Sequence, residues 1–279
     1  MNAKIDRFEE FRALHHGERP LFLPNAWDHA SAAALVARGF TALGTTSLGV
    51  AAAAGKPDAA GATREDTMRL AAGLARLPAL ISVDVEGGFS EDPGEVAALA
   101  AELAEAGVAG LNIEDGRPGG TLAGRDRQCA LIAAIKDAVP GLFVNARTDV
   151  FWFAATEPGW SGDPEGARRG PLAVALERVR AYRDAGADGV FVPGAGDEPA
   201  IAALAAGVDA PLNILFTPGG PSVARLGELG VRRVSCGSLL FRAALHNAVE
   251  LAWAAAHEEV VAAGLPSYAQ AQALAGAFG

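Results

Sequence analysis

The sequence predicts a closed (β/α)8 barrel of the TIM type, and three observations carry that expectation. First, one unit recurs, in which a helical run ends in glycine and a β-rich strand follows at once. It reads Val36-Ala-Arg-Gly39-Phe-Thr-Ala-Leu43, Glu105-Ala-Gly107-Val-Ala-Gly-Leu-Asn-Ile113, Asp184-Ala-Gly186-Ala-Asp-Gly-Val-Phe-Val192 and Glu228-Leu-Gly230-Val-Arg-Arg-Val-Ser235. Glycine closes a helix well because it adopts the left-handed conformation just past the cap. Second, strand-like runs number about eight, at 20–25, 40–47, 79–86, 109–115, 141–149, 188–193, 210–217 and 231–236. Third, 279 residues without an inserted domain or low-complexity linker suit a single barrel. An open doubly wound sheet is the alternative, but no Gly-x-Gly-x-x-Gly turn follows the first strand, Leu23-Pro-Asn-Ala-Trp27.

Helix starts agree with this order. Asp92-Pro-Gly-Glu95 offers a cap residue, a proline in the first turn, and Glu95 where a capping box wants it. His29, just beyond the first strand, reads as a helix start. Two loops are long: 48–63, rich in Ala and Gly, and 154–171, which carries Trp160. After Ser238 a long helix is expected to about Ala263 and a short one from Ser267. That is more helix than one βα unit needs. Residues 1–238 are therefore assigned to the barrel, and 239–279 to C-terminal helices of the same domain that pack on a neighbouring subunit.

Composition narrows the partners. The net charge is −10 with no basic block, which argues against nucleic acid or an anionic membrane. No apolar run reaches the ~18 residues that a membrane-spanning helix needs. The start, Met1-Asn-Ala-Lys-Ile-Asp-Arg-Phe-Glu-Glu, is too acidic for a secretory signal. Two cysteines, Cys129 and Cys236, form no disulfide framework, so a reducing cytoplasm is the expected compartment. Cys129 reads as a buried helical thiol. The histidines show no metal-ligand spacing.

Polar residues collect where a barrel keeps its chemistry, at the C-terminal strand ends. In Ala79-Leu-Ile-Ser-Val-Asp-Val-Glu-Gly-Gly-Phe-Ser90, Ile81, Val83 and Val85 point one way and Ser82, Asp84 and Glu86 the other. Two carboxylates on one face repel unless a cation lies between them, and Mg²⁺ or Mn²⁺ prefers such oxygen ligands. Asn112 and Glu114 share a face opposite Leu111 and Ile113, and Asn145 and Arg147 oppose Val144. Asp84, Glu86 and Glu114 could hold one Mg²⁺, directly or through its waters. Arg147 could clamp a substrate carboxylate, pair with Glu114 or Asp149, or do both. Thr45, Thr46 and Ser47 lie at a turn whose N–H groups could bind a carboxylate or oxyanion. Asn213 ends a later strand and could touch substrate.

At these residues the chain resembles the isocitrate lyase/phosphoenolpyruvate mutase superfamily. The likeness runs from Pro24-Asn-Ala-Trp-Asp28 to about Ser238, through Asp84-Val-Glu-Gly-Gly88, Asn112-Ile-Glu-Asp115 and Asn145-Ala-Arg-Thr-Asp149, joined by Thr46 and Asp58. The resemblance implies a (β/α)8 barrel with its last helix exchanged between subunits, as a dimer or a tetramer built from dimers. It also implies Mg²⁺ near Asp84, Glu86 and Glu114, a chelated 2-oxo carboxylate, and Arg147 with the backbone at Thr46 and Ser47 on its carboxylate.

Two departures shape the expected activity. The superfamily's carbon–carbon lyases carry a Lys-Cys-Gly-His type loop after strand four, with the cysteine as proton donor. Here that loop is Gly116-Arg-Pro-Gly-Gly-Thr-Leu-Ala-Gly-Arg125, without Cys, His or Lys. Its glycines and its arginines, Arg117 and Arg125, read as a lid closing on an anion, and Thr121, Arg117 or water could replace the acid. Phosphonomutase-like members place a His at the end of strand six, which here ends Val190-Phe-Val-Pro193-Gly. The expected function is thus a Mg²⁺-dependent lyase or decarboxylase of a small 2-oxo or 2-hydroxy carboxylate, acting through a metal-stabilised enolate, with Asp58, Glu114 and Arg147 as catalytic residues. The alternatives are a phosphonopyruvate-type mutase or hydrolase, in which Asp58 acts at phosphorus, and a barrel that binds 2-oxoglutarate or oxaloacetate without turnover.

Overall fold

The computed structural model describes residues 2–157, 166–260 and 264–279. Its strands are β1 Leu21–Leu23, β2 Asn25–Ala26, β3 Ala42–Thr45, β4 Leu80–Asp84 and β5 Gly110–Glu114. They continue with β6 Gly116–Arg117, β7 Thr121–Leu122, β8 Phe143–Arg147, β9 Gly189–Phe191, β10 Leu212–Leu215 and β11 Arg233–Ser235. The helices are α1 Asn2–Leu14, α2 His29–Ala37, α3 Ser47–Ala53, α4 Arg64–Leu74, α5 Pro93–Ala106 and α6 Arg125–Ala138. After these come α7 Val150–Thr156, α8 Gly166–Asp184, α9 Glu198–Gly207, α10 Val223–Glu228, α11 Leu239–Ala256 and α12 Tyr268–Ala273. None of the described helices is long and apolar enough to cross a membrane.

The main sheet is parallel throughout, in the order β1-β11-β10-β9-β8-β5-β4-β3-β2. Its two ends are halves of one extended segment split at Pro24, so the eight expected strands appear as nine pieces of a ring. Proline has no N–H for the ladder, and Asn25 bridges the gap instead. Its Nδ2 donates to the Thr45 carbonyl at 2.7 Å, while its Oδ1 accepts from the N–H groups of Cys236 and Gly237 at 2.8 and 2.9 Å. One side chain therefore ties β2 to both neighbours.

The glycine-closed units form as the sequence predicts. Gly39, Gly107, Gly186 and Gly230 have φ between 93° and 106°, where a side chain would be strained. At Asp92 the cap forms but the reciprocal half of the box does not: Oδ1 accepts from Gly94 and Glu95 N–H, while the Glu95 carboxylate takes the Ser90 hydroxyl at 2.6 Å. Asp28 caps α2, which starts at His29.

Outward-facing Ile81, Val83, Leu111, Ile113, Val144 and Ala146 are buried against the helices. Phe11 of α1 plugs the N-terminal mouth, edge-on to Phe143 at 5.3 Å. Three expectations change. The 48–63 loop begins as α3, and α7 occupies the start of the 154–171 loop, whose residues 158–165, with Trp160, lie outside the described ones. The long C-terminal helix ends at Ala256, short of Ala263, which also lies outside the described residues. From there Phe278 returns to this chain's own α2, 5.2 Å from the His29 ring. Leu245, Val249 and Trp253 form an exposed apolar stripe along α11.

Candidate active site

The turn after β4 is organised by backbone strain. Strand geometry ends at Asp84, and Glu86 adopts φ +50°, a left-handed conformation that costs about 1 kcal/mol or more for a residue with a Cβ. Period-two alternation therefore fails at Glu86, which corrects its assignment to the Asp84 face. Its carboxylate instead accepts from Gly61 N–H at 2.9 Å and the Thr63 hydroxyl at 2.6 Å. Glu86 thereby anchors the loop that carries Asp58 to the barrel mouth.

Asp84 stays at the mouth, its N–H donating to Thr45 Oγ1 at 2.8 Å. Thr45 thus supports the aspartate from behind and does not line the cavity. Burial raises the Asp84 pKa to about 6; Arg147 opposes the shift, and Asp58 and Glu86 add to it. Glu114 is raised as well, by burial first, against Arg147 and with Asp149, Asp84 and Asp58.

Arg147 lies at the centre of the charges. Its Nη1 meets Glu114 Oε2 and its Nε meets Asp149 Oδ1, both at 2.7 Å, and its guanidinium carbon is 5.7 Å from the Phe191 ring centre. Burial works against its charge, yet the three carboxylates Asp149, Glu114 and Asp84 raise its pKa overall. Both pairings expected of it occur together. Among the described residues no group bonds Nη2.

A second set of residues fixes Asp149; sequence reasoning named Asp115 among them but missed its role and its partners on α8. The fully buried Asp115 accepts from Asp149 N–H at 2.9 Å, Thr148 Oγ1 at 2.7 Å, Tyr182 Oη at 2.6 Å and Arg178 Nη1 at 3.0 Å. Arg178 and Tyr182 stand four apart on α8, and that shared inward face is the only signal the sequence offered. Arg178 also holds the Ala123 carbonyl at 3.0 Å, at the foot of the β6–β7 hairpin.

The cavity over these groups has a volume of about 470 Å³. Asp58, Asp84, Glu114, Arg147, Thr46 and Ser47 all line it, as do Arg117 and the glycines of the hairpin. Thr46 N–H bonds the Ala26 carbonyl at 3.2 Å. The donors left at that turn are the first N–H groups of α3, which have no intrahelical partner. One oxygen of Asp58, Oδ1, is buried without a partner. Asn213 is fully buried, accepts from Ser235 Oγ at 3.2 Å, and does not line the cavity; Ser235 does.

The predicted lid is the β6–β7 hairpin with its flanks. Arg117 turns inward, its Nε on Glu91 at 2.7 Å and its Nη1 on the Glu114 and Gly116 carbonyls, both at 2.9 Å. Gly87 makes room for it, since a Cβ there would lie 2.5 Å from Nη1. Arg125 turns away to Asp126 and Glu177, and Thr121 is exposed. Among the described residues no three His, Cys, Asp or Glu side chains form a ready-made metal cluster.

Known proteins place this architecture. Residues 11–256 match the family model for phosphoenolpyruvate phosphomutase. An uncharacterized protein of Mycobacterium tuberculosis is 42% identical over 263 residues, covering 94% of this chain and 95% of that one. A 2-methylisocitrate lyase of Halalkalibacterium halodurans is 33% identical, covering 73% and 65% of the respective chains. An oxaloacetate decarboxylase of Ectopseudomonas mendocina is 31% identical, covering 68% and 64%. Among solved structures, a Burkholderia cenocepacia J2315 protein assigned as a phosphonomutase superposes with a TM-score of 0.80 at 37% identity, covering 89% and 98%. The chain belongs to the phosphoenolpyruvate phosphomutase family, within the isocitrate lyase/phosphoenolpyruvate mutase superfamily.

Proposed function

We propose that the chain is a Mg²⁺-dependent carbon–carbon lyase or decarboxylase of a small 2-oxo or 2-hydroxy carboxylate, with Mn²⁺ able to replace Mg²⁺. One observation carries this: the cavity gathers Asp58, Asp84, Glu114 and Asp149 around one guanidinium, Arg147, that is already paired twice. Excess buried carboxylate, with an Asp58 oxygen lacking any partner, fits a hard divalent cation. Asp84 would hold it, with Asp58 and Glu114 reaching it directly or through water, and Glu86 serving from behind through the Asp58 loop. When bound, the ion supplies a Lewis acid for the negative charge that develops on a 2-oxo oxygen.

The chain's own groups do the rest. Arg147 Nη2 takes the substrate carboxylate, and the opening N–H groups of α3 receive its second oxygen. The hairpin closes the mouth and excludes water during bond cleavage. In decarboxylation the bond to the departing CO₂ breaks, its electron pair moves to C3, and C3 then takes a proton. No Cys, His or Lys stands on the 116–125 loop, so a route in which water supplies that proton as the lid opens suits this cavity best. The named activities of the decarboxylase and lyase relatives support the same class.

A second reading is a phosphonopyruvate-type mutase or hydrolase. It draws on the unpartnered Asp58 oxygen in the cavity and on the phosphonomutase likeness. A mass-spectrometric screen with Mg²⁺ separates the readings. Pyruvate from oxaloacetate or from a branched malate supports the lyase. Phosphate from phosphonopyruvate replaces it with the mutase-type reading. Tight binding of 2-oxoglutarate or oxaloacetate without product leaves a binding barrel. The stripe on α11 supports a homodimer or tetramer assembled through residues 239–279. The unbridged Cys129 and Cys236 fit a cytoplasmic setting.

A further inference from the structure

The cavity is divided by the sheet order. Asp84 and Glu114 come from β4 and β5, with Asp58 beside them, and Arg147 on β8 marks the border. Beyond that border an apolar sector follows, with Trp152 on α7, Phe191 and Pro193 at the end of β9, and Leu215 at the end of β10; Asp149 and Glu157 flank α7, and Ser235 and Ser238 resume the polar lining past β10. The change is abrupt, because the Phe191 ring lies directly against the Arg147 guanidinium. Trp152 is 39% exposed, unusual for an indole on a firmly placed backbone. The backbone there is fixed by Gly194, whose missing Cβ leaves room for Phe151 and Trp152 main-chain atoms less than 3 Å from that position. The wall is therefore preformed, and part of it faces open space.

Charge points the same way. Among the described lining residues five carboxylates, Asp58, Asp84, Glu114, Asp149 and Glu157, face two guanidinium groups, Arg117 and Arg147. Even with a divalent ion bound, the cavity remains short of positive charge. Arg117, on the hairpin after β5, is engaged by Glu91 and two carbonyls through Nε and Nη1, its buried Nη2 having no partner, and Arg147 is paired with two carboxylates. No described cation lines the cavity at β9 or β10, where an unpaired substrate charge would be desolvated at high cost.

Resting on the head-group site set out above, we propose that the substrate carries an uncharged, apolar substituent at C3 that packs on Trp152, Phe191 and Leu215. Its only ionised groups are the carboxylate at Arg147 and, for decarboxylation, the one that departs. Tricarboxylates of the isocitrate type are excluded by the same wall.

Isothermal titration of the full-length protein with Mg²⁺ and a matched series of 2-oxo acids tests this. The series is pyruvate, 2-oxobutanoate, 4-methyl-2-oxopentanoate and 2-oxoglutarate. Affinity should rise about fourfold per buried methylene from pyruvate to the branched acid, with 2-oxoglutarate weaker than both alkyl acids. In Trp152→Ala, and separately in Leu215→Ala, the ratio of branched-acid to pyruvate affinity should fall toward one. If 2-oxoglutarate binds as tightly as the branched acid while pyruvate also binds, the substituent proposal fails and the head-group site stands. If no 2-oxo acid binds with Mg²⁺, the head-group site itself fails. An unchanged ratio in both folded variants overturns the assignment of the wall.

Discussion

Replacing Asp115 by asparagine isolates the support that sets Arg147. The carboxylate accepts four hydrogen bonds, one at Oδ1 from Asp149 N–H and three at Oδ2 from Thr148, Tyr182 and Arg178. An amide has one acceptor atom, so in either orientation its NH₂ faces a donor, and the buried Arg178 loses its counter-charge. Removing one partner of a buried ion pair costs about 3–5 kcal/mol. With an unfolding entropy of about 2.1 cal/mol/K per residue, 279 residues give roughly 0.6 kcal/mol/K, so Tm should fall by about 5–8 °C. Arg178→Met should cost less, because three donors remain on Asp115. Differential scanning calorimetry of both variants reads the difference. A loss below about 2 °C for Asp115→Asn would refute the view that this carboxylate is the hub.

Three further outcomes follow from other parts of the molecule. Hydrogen exchange in residues 116–122 should slow when pyruvate and Mg²⁺ are added together, and an unchanged rate at saturation would contradict the lid. Burial, with the nearby Arg233, holds the His15 pKa down at about 3 against an ordinary 6.5. Between those values the unfolded chain binds the extra proton, so His15 destabilises the fold increasingly as pH drops, by up to about 1.4 kcal/mol per unit. The stability of wild type minus His15→Phe, which keeps the stack on Phe143, should therefore decrease from pH 6.5 to pH 4, and a flat difference would refute the burial argument. Finally, Trp253→Asp on the α11 stripe should shift sedimentation equilibrium toward the monomer; an undisturbed assembly would place the interface elsewhere.

The barrel was legible because its signals are local. Each glycine at 39, 107, 186 and 230 marks a left-handed helix exit, and each neighbouring strand carries its own apolar alternation. That the ring closes was expected, but how it closes was not legible: nothing local says that Asn25 replaces the ladder bonds lost at Pro24. Asp58, Asp84, Glu114 and Arg147 do line one cavity. Glu86 leaves the strand pattern at φ +50°, and its carboxylate is held by Gly61 and Thr63, far along the chain. The hub role of Asp115, and Arg178 and Tyr182 altogether, escaped notice for a related reason. Their bonds join β5 to α8, and a fully satisfied buried carboxylate looks in sequence like one more polar strand end.

Calorimetric titration of Mg²⁺ into wild type and Asp84→Asn, each with and without pyruvate, tests the metal-assisted site most directly. Wild type should bind one ion per chain, more tightly with pyruvate present. Asp84→Asn should lose at least tenfold in affinity under both conditions, because the amide does not restore the missing charge beside a divalent cation. Equal Mg²⁺ affinity in a folded Asp84→Asn variant would contradict the placement of the ion, and with it the proposed chemistry.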